Sequence, residues 1–268
     1  MRPWRAVPAE PLAIVIPTRN EAANVPLLLP PLLALGLARR IYVMDDASSD
    51  GTVEAVEKLA AEHPEVVLVR RSGPRGYGRA CAEGLRRALD EGAELCLQMD
   101  ADLSHDPRYV PDLVAAAAGA DLVLGSRYVQ GISVVNWSLR RLLLSTWANE
   151  YVRALGGLRV RDCTTGFRLW RRPLLERIGL ERIHSDGYSF LVETLFRATR
   201  AGARVREVPI IFVERKFGQS NLSKRVVLES AWLPWRLFAS RIRDRLLRRT
   251  GPEKGRRPDP RTGAPPSA

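Results

Sequence analysis

Short apolar runs that alternate with helical stretches constrain the fold of this chain more than any other feature. The run at 12–17 is wholly apolar and rich in β-branched residues, as in a strand buried on both faces. Strands are predicted at 12–17, 41–44, 66–69, 95–99 and 121–125. Helices are predicted between them at 26–35, 52–63, 78–92 and 111–118. This order predicts an α/β fold with a mostly parallel central sheet flanked by helices.

The second half has a less regular pattern. Helices are predicted at 138–154 and 189–201, and Pro209 interrupts a strand predicted at 204–212, which favours the edge of the sheet for it. A basic amphipathic helical segment is predicted at 226–249. The Gly, Pro and Arg content of 250–268 predicts a disordered tail.

The charge of the chain favours anionic partners. Lys and Arg total 42 against 30 Asp and Glu, a formal net charge of +12. Nucleic acid, anionic lipid and phosphorylated substrates all fit such an excess, as does a merely solvated basic surface. The three cysteines are far apart and favour a reducing, cytoplasmic compartment. We expect neither a signal peptide nor a spanning helix, so a membrane role would place the protein on the membrane surface.

Two predicted strands end in acidic turns, at 45–52 and at 100–102. The carboxyl ends of parallel strands lie at one edge of a sheet, where ligands bind. The carboxylates of Asp100 and Asp102 are close enough in sequence to share one hard cation. An Asp-x-Asp pair alone also fits a solvated turn, but its place after an apolar strand, beside a second acidic turn, favours a cation site that binds a diphosphate.

The order of six segments resembles family 2 glycosyltransferases, and within them the dolichyl- or polyprenyl-phosphate mannosyltransferases. The segments are 16–21, 45–52, 99–105, 125–128, 162–168 and 215–220, and the resemblance covers about 12–223. It implies a GT-A-like, nucleotide-sugar-binding catalytic domain at 1–225. The implied reaction is inverting transfer of mannose from GDP-mannose to a polyprenyl phosphate.

The resemblance also implies a site. The residues expected around the donor are Pro17, Arg19, Glu21, Met44, Asp46, Asp100, Ala101, Asp102, Arg127, Arg215 and Asn221. Mg²⁺ or Mn²⁺ is expected on Asp100, Asp102 and Ser104. Catalytic roles are expected for Asp102, Arg127 and Arg215, the arginines because a forked guanidinium suits phosphate.

Three positions depart from the usual residues of the family: Arg19 stands at a common Tyr position, Ser104 at a Gln position and Asn221 at a Lys position. The acceptor phosphate is an anion near neutral pH, so it needs no strong general base, and His105 is expected to have a structural or supporting role. Gly76 and Gly78 are interpreted as a helix start beside the donor pocket, because Cys81 stands where a dinucleotide fingerprint needs its third glycine.

Three other functions compete with this one. A partner-anchored scaffold with an inactive transferase fold is disfavoured by the intact Asp100 and Asp102, while Ser104 and Asn221 leave it open. A UDP-sugar such as UDP-glucose could replace GDP-mannose as donor. The net charge also suggests a nucleic-acid-binding protein, but two acidic strand ends have no use there, and we expect no nucleic-acid partner.

The lipid acceptor implies a peripheral place on the cytoplasmic face of a membrane. The segment 226–249 could pack against the domain or lie on the membrane surface, and the lipid acceptor favours the surface. A separate membrane protein that anchors the chain is left open.

Overall fold

A seven-stranded sheet forms the centre of this computed structural model, which describes residues 10–183 and 185–214 together with positions 235, 238 and 239. In spatial order the strands are β3 (Val66–Arg70), β2 (Ala38–Asp45), β1 (Leu12–Thr18), β4 (Leu95–Gln98), β7 (Arg168–Arg171), β5 (Leu122–Ser126) and β8 (Val205–Pro209). All neighbours pair in parallel except β7, which is antiparallel to both β4 and β5. A separate parallel pair joins β6 (Val134–Val135) to β9 (Phe212–Val213).

Helices cover both faces of the sheet. They are α1 (Val25–Ala34), α2 (Thr52–Glu62), α3 (Tyr77–Asp90), α4 (Val110–Ala116), α5 (Leu139–Gly156), α6 (Arg172–Ile178) and α7 (Gly187–Arg200). Short 3-10 turns lie at Pro107–Tyr109, Ala117–Gly119 and Leu180–Arg182. One buried core unites the sheet with α3, α6 and α7, and a second core on the other face unites it with α1, α2 and α4.

Strand β1 shows why these residues form a central strand. Its side chains alternate between the two cores: Ala13 and Val15 belong to one, Ile14 and Ile16 to the other. Both faces of a sheet covered by helices exclude water, so every position of the strand can be apolar. The burial expected on both faces is confirmed.

The predicted parallel α/β sheet is confirmed, and so is the edge strand, because β8 ends the sheet and stops at Pro209. Strand β7 and helix α6 were not predicted. The segment 168–171 reads Arg-Leu-Trp-Arg, without the long apolar run that marked the other inner strands. Yet it lies between β4 and β5, and its Arg168 is buried.

The C-terminal predictions lie mostly outside the described residues. Within 226–249 the structure describes positions 235, 238 and 239, which are helical, and 250–268 is outside it. The helical segment and the disordered tail therefore stay predictions. Among the helices that the structure describes, none has the length and apolar content that crossing a membrane requires.

Candidate active site at the carboxyl ends of the strands

The two acidic turns lie at one edge of the sheet, as predicted. Strand β1 runs between β2 and β4, parallel to both, so the residues after all three strands meet at their carboxyl ends. The amide of Asp46 donates to the carbonyl of Thr18 (2.9 Å), and that of Met99 donates to the carbonyl of Val15 (3.1 Å). This edge is where ligands bind in open parallel sheets.

The turn after β1 is tied to the turn after β2. Asn20, with φ 58° in the left-handed region, receives the Ser49 amide on its side-chain oxygen (2.9 Å) and donates its own amide to the Ser48 hydroxyl (2.9 Å). The amide of Glu21 donates to the Thr52 hydroxyl (2.8 Å). These bonds fix the backbone that carries Glu21 and its neighbours at the rim.

Asp46 is held by two groups, of which the sequence indicated only the helix start at Gly76. Its carboxylate forms an ion pair with the almost fully buried guanidinium of Arg71 and accepts the amide of Gly76 (2.8 Å). Arg71 also contacts Glu83 (2.9 Å). Asp46 was expected at the nucleoside. Gly76 at the start of α3 and Arg71 directly after β3 hold its carboxylate in one orientation.

Asp100 is held by Tyr77 and by His105. The hydroxyl of Tyr77 donates to Asp100 Oδ1 (2.8 Å) and itself accepts from Gln98 Nε2 (3.1 Å). Burial, together with the negative charge of Asp100, raises the pKa of Tyr77 well above its ordinary value, so the phenol keeps the proton that it donates. The amide of Asp100 donates to Nδ1 of His105 (2.9 Å).

His105 acts as a support for this turn. Its ring is 1% exposed and stacks on Phe167 with centroids 5.0 Å apart. Nδ1 is already engaged, because it accepts the backbone N–H of Asp100. The geometry agrees with the structural role expected for His105.

Asp102 and Ser104 form the second half of the acidic turn. Both the amide (3.1 Å) and the hydroxyl of Ser104 donate to Asp102 Oδ1, and both residues are buried. Leu103 between them has φ 64°, which folds the turn back on itself. The hydroxyl of Ser104 therefore orients Asp102. Its expected role as a direct metal ligand stays a prediction.

The turn suits a hard divalent cation. Two carboxylates held in fixed orientations supply oxygen ligands, which Mg²⁺ and Mn²⁺ prefer. Within 10–183 and 185–214, no cluster of three or more His, Cys, Asp and Glu side chains is placed to enclose a metal ion. Asp100 and Asp102 would thus share the ion with water and with oxygens of a bound diphosphate, the usual manner of Mg²⁺ at phosphate sites.

A buried ion pair joins the end of β5 to the loop before β7. Asp162 accepts from Arg127 Nε (2.7 Å), Nη2 (2.6 Å) and backbone N (3.0 Å), and Arg127 Nη2 also donates to Thr164 Oγ1 (2.7 Å). Burial raises the pKa of Asp162, but Arg127 and these hydrogen bonds outweigh it and hold that pKa below its usual range. Conversely, burial lowers the pKa of Arg127, and Asp162 raises it above its ordinary value.

Aromatic rings surround the same guanidinium. Its carbon lies 5.3 Å from the ring centre of Tyr128, 5.6 Å from that of Trp137 and 5.4 Å from that of Phe212. Rings at this distance stabilise a cation and exclude water from it. Arg127, expected as a phosphate contact, is thus already bound to Asp162 in a largely dry environment, and its contact with phosphate stays a prediction.

A second buried arginine holds the loop 162–167 in place. Arg168 donates to the carbonyls of Thr165 (2.8 Å), Cys163 (3.0 Å) and Leu191 (2.7 Å) and to the hydroxyl of Thr194 (2.9 Å). Its acceptors are neutral oxygens, and burial lowers its pKa to about 10. Arg168 therefore fastens the loop to α7.

That loop reaches the acidic turn at Gly166. A Cβ added there would lie 2.7 Å from the Tyr77 hydroxyl and 3.1 Å from Asp100 Oδ1. A side chain at this position would displace the carboxylate or the phenol that orients it.

Comparison with known proteins places the chain in a family. Residues 13–179 match the sequence profile described as Glycosyl transferase family 2. This range includes both acidic turns, the Arg127–Asp162 ion pair and Arg168. The chain belongs to this family. The glycosyltransferase activity that the motif order implied is therefore confirmed at the level of the family.

Two curated relatives resemble this glycosyltransferase over most of its length. One is the undecaprenyl-phosphate mannosyltransferase of Micrococcus luteus, 42% identical over 216 residues, which are 81% of this chain and 89% of the relative. The other is the polyprenol monophosphomannose synthase of Mycolicibacterium smegmatis, 40% identical over 225 residues, 83% of this chain and 85% of the relative.

Solved structures of other glycosyltransferases share the fold. Glucosyl-3-phosphoglycerate synthase from Mycobacterium tuberculosis, in complex with Mn²⁺, UDP and glucosyl-3-phosphoglycerate, has a TM-score of 0.60 at 20% identity and aligns 95% of this chain with 88% of its own. A mannosyltransferase from Pyrobaculum calidifontis, in complex with GDP-Man and Mn²⁺, has a TM-score of 0.51 at 20% identity over 90% of this chain and 76% of its own. At this identity they establish the GT-A-like fold alone.

The remaining residues predicted for the donor site of the glycosyltransferase differ in their surroundings. Pro17 and Glu21 are half-buried and Arg19 is exposed at the rim. Met44, predicted at the donor site, is fully buried, and its side chain packs beside Gly84 of α3 in the core. Ala101 is also buried. Arg215 and Asn221 lie outside the described residues.

Proposed function

We propose that this glycosyltransferase transfers mannose from GDP-mannose to a polyprenyl phosphate, with inversion at the anomeric carbon, to give polyprenyl-phosphate mannose. The observation that carries the proposal is the similarity, at 42% and 40% identity over four fifths of the chain, to relatives named for mannose transfer to polyprenyl lipids. The acidic turn at the rim of the sheet supplies the chemistry that such a donor needs.

The proposed cofactor is Mg²⁺ or Mn²⁺, with Asp100 and Asp102 as its protein ligands. When bound, the ion neutralises charge on the nucleoside diphosphate that leaves. The chain contributes orientation: Tyr77 and the Ser104 hydroxyl each fix one carboxylate by donating a hydrogen bond to it. Orientation of this kind is effective because the carboxylates need no rearrangement when the ligand binds.

The proposed reaction needs no general base from the protein. A phosphate monoester has a second pKa of about 6, so its oxygen is already an anionic nucleophile near neutral pH. This agrees with the rim, where His105 uses Nδ1 to hold the Asp100 amide. The task left to the chain is to hold two anions in line. We propose Arg127 and Arg215 for phosphate contacts, with Asp162 setting the orientation of Arg127.

A lipid acceptor requires access to a membrane. We propose a peripheral location on the cytoplasmic face of that membrane, with basic residues directed toward anionic lipid. Whether a separate membrane protein also anchors the chain is a question for co-purification from membranes.

Transfer of radiolabelled sugar to polyprenyl phosphate tests the proposal. GDP-mannose and UDP-glucose are compared as donors, with Mg²⁺, with Mn²⁺ and with EDTA. Metal-dependent formation of lipid-linked mannose supports the proposal, whereas glucose transfer alone would replace the donor. Folded protein that transfers neither sugar would overturn it.

A pair of variants tests the acidic turn in the same assay. Asp102→Ala removes a proposed metal ligand and should abolish turnover. Asp112→Ala removes an exposed carboxylate on α4 and should leave turnover unchanged. Full activity of Asp102→Ala would remove the metal assignment.

A further inference from the structure

The start of α3 lies directly against the start of α7. Gly76 and Gly78 pack so closely there that neither position has room for a side chain. A Cβ on Gly76 would lie 1.9 Å from Asp186 Oδ2, and one on Gly78 would lie 2.7 Å from Phe190 Cβ. The two glycines therefore bring the backbone of α3 into contact with the residue before α7.

Asp186 holds the start of α3 by hydrogen bonds to the backbone. Its Oδ1 accepts the amide of Gly78 (2.5 Å) and also the amide of Gly187 (2.8 Å), at the N-cap of α7. One carboxylate thus caps α7 and binds an amide in the first turn of α3.

The turn that carries Asp186 is itself fixed. Ser185 is buried and donates its hydroxyl to Glu193 Oε2 (2.5 Å), and Glu193 accepts from Arg197 Nε (2.8 Å) one turn farther along α7. Arg168 binds the same helix through the carbonyl of Leu191 and the hydroxyl of Thr194, as described above. Asp186 therefore projects from an element that is fastened to the sheet.

The segment that Asp186 holds makes contacts with both acidic turns. The amide of Gly76 donates to Asp46 Oδ2 (2.8 Å), and the hydroxyl of Tyr77 donates to Asp100 Oδ1 (2.8 Å). Because Gly76 and Tyr77 are consecutive, a shift of this backbone would change both contacts together. A carboxylate that belongs to neither turn thus influences the orientation of both.

We propose that Asp186 is a positioning residue of this glycosyltransferase: by holding the start of α3, it fixes Asp46 for the donor nucleoside and Asp100 for the divalent cation. It acts through Gly76 and Tyr77 rather than by contact with the nucleotide or the cation. The inference rests on the proposed function for the roles of Asp46 and Asp100, and it adds the residue that couples them. Such coupling matters because small displacements of catalytic groups are costly.

Two substitutions separate this role from the capping of α7. Asp186→Asn keeps a side-chain oxygen at the same reach, so it should still accept the Gly78 amide. Asp186→Ser keeps a strong helix cap, but its side chain is one bond shorter and should not reach that amide. Both variants should fold with similar midpoints of thermal unfolding, so a comparison of the two isolates the contact with α3.

Amide hydrogen exchange, followed by nuclear magnetic resonance without metal or nucleotide, tests the positioning itself. In Asp186→Ser the amides of both Gly76 and Gly78 should exchange about tenfold faster than in Asp186→Asn. The amide of Gly76 is decisive, because its acceptor is Asp46 and not Asp186. Equal exchange of the Gly76 amide in the two variants would overturn the proposal.

Binding of Mn²⁺, measured by electron paramagnetic resonance without substrate, tests the consequence for the acidic turn at 100–102. Asp186→Ser should bind Mn²⁺ about tenfold more weakly than Asp186→Asn, the usual effect of losing a supporting contact. When Tyr77→Phe is already present, Asp186→Ser should weaken binding little further, because Asp186 acts on Asp100 through the Tyr77 hydroxyl.

Equal Mn²⁺ affinities of Asp186→Ser and Asp186→Asn would overturn the proposal, as would fully additive losses when Asp186→Ser is combined with Tyr77→Phe. If the unchanged protein bound no Mn²⁺, the metal assignment of the proposed function would fail. Exchange of the Gly76 amide would then still decide whether Asp186 positions the start of α3.

Discussion

Tyr77, the first residue of α3, donates a hydrogen bond to Oδ1 of Asp100, 2.8 Å away at the end of β4. A phenol that accepts from Gln98 and donates to a carboxylate gives Asp100 one preferred rotamer before any ligand binds. The start of α3 therefore supports the acidic turn at 100–102.

Replacing Tyr77 by Phe should weaken divalent-metal binding. The variant removes the donor that orients Asp100, and such supporting bonds contribute about tenfold or more to metal affinity or activity. Mn²⁺ binding measured by electron paramagnetic resonance, without substrate, reports this directly. Tyr42→Phe is the matched control, because it removes a buried phenol of β2 that lies in the core. Equal Mn²⁺ affinity of Tyr77→Phe and the unchanged protein would contradict the positioning role.

Gly166→Ala should disturb the same carboxylate from the opposite side. The new Cβ would lie 2.7 Å from the Tyr77 hydroxyl, closer than such a contact allows, and 3.1 Å from Asp100 Oδ1, which is a tight contact. We expect Mn²⁺ affinity and turnover to fall by about tenfold, since small displacements of catalytic groups are costly.

Gly73→Ala serves as the control for that variant, because nothing lies within 4 Å of the added methyl group. The two proteins should differ in metal binding while their midpoints of thermal unfolding stay close. Normal metal affinity in Gly166→Ala would show that the turn adapts to the methyl group.

Much of this site follows from the sequence because it is built on parallel strands. Apolar runs predicted β1, β2 and β4, and parallel pairing necessarily brings the residues that follow them to one edge. The acidic turns at 45–52 and 100–102 could therefore be placed together before their contacts were known. Gly76 and Gly78 also indicated a helix start beside that edge, which is where Tyr77 lies.

The partners of these groups could not be predicted, since they come from distant parts of the chain. Arg71 beside Asp46 and Asp162 beside Arg127 depend on how loops cross the rim, and no local periodicity records that. Strand β7 was missed for a similar reason: it has two apolar residues between two arginines, not the long apolar run that marked the other inner strands. The loop carbonyls and α7 accept the Arg168 hydrogens, so a charged residue is buried in the centre of the sheet.

Asp162→Asn should destabilise the fold strongly. Arg127 would keep its charge in a buried site without a counter-charge, which typically costs about 3–5 kcal/mol in the free energy of unfolding. Urea unfolding followed by circular dichroism measures the loss. The control is Asp121→Asn, which breaks a pair with the exposed Arg204 and should cost much less. Similar losses in the two variants would show that burial of the first pair adds little.

The same ion pair should make stability fall in acid. Because the pKa of Asp162 is lower in the folded protein than its ordinary value of 3.8, the unfolded chain binds more protons as the pH falls below that value. The stability from this group is therefore complete above about pH 4 and is lost as the pH falls through the depressed folded pKa. Unfolding free energies measured across this range should decline less steeply in Asp162→Asn, which cannot take up the proton. Parallel profiles for the two proteins would contradict the prediction, because they would mean that other carboxylates cause the loss of stability in acid.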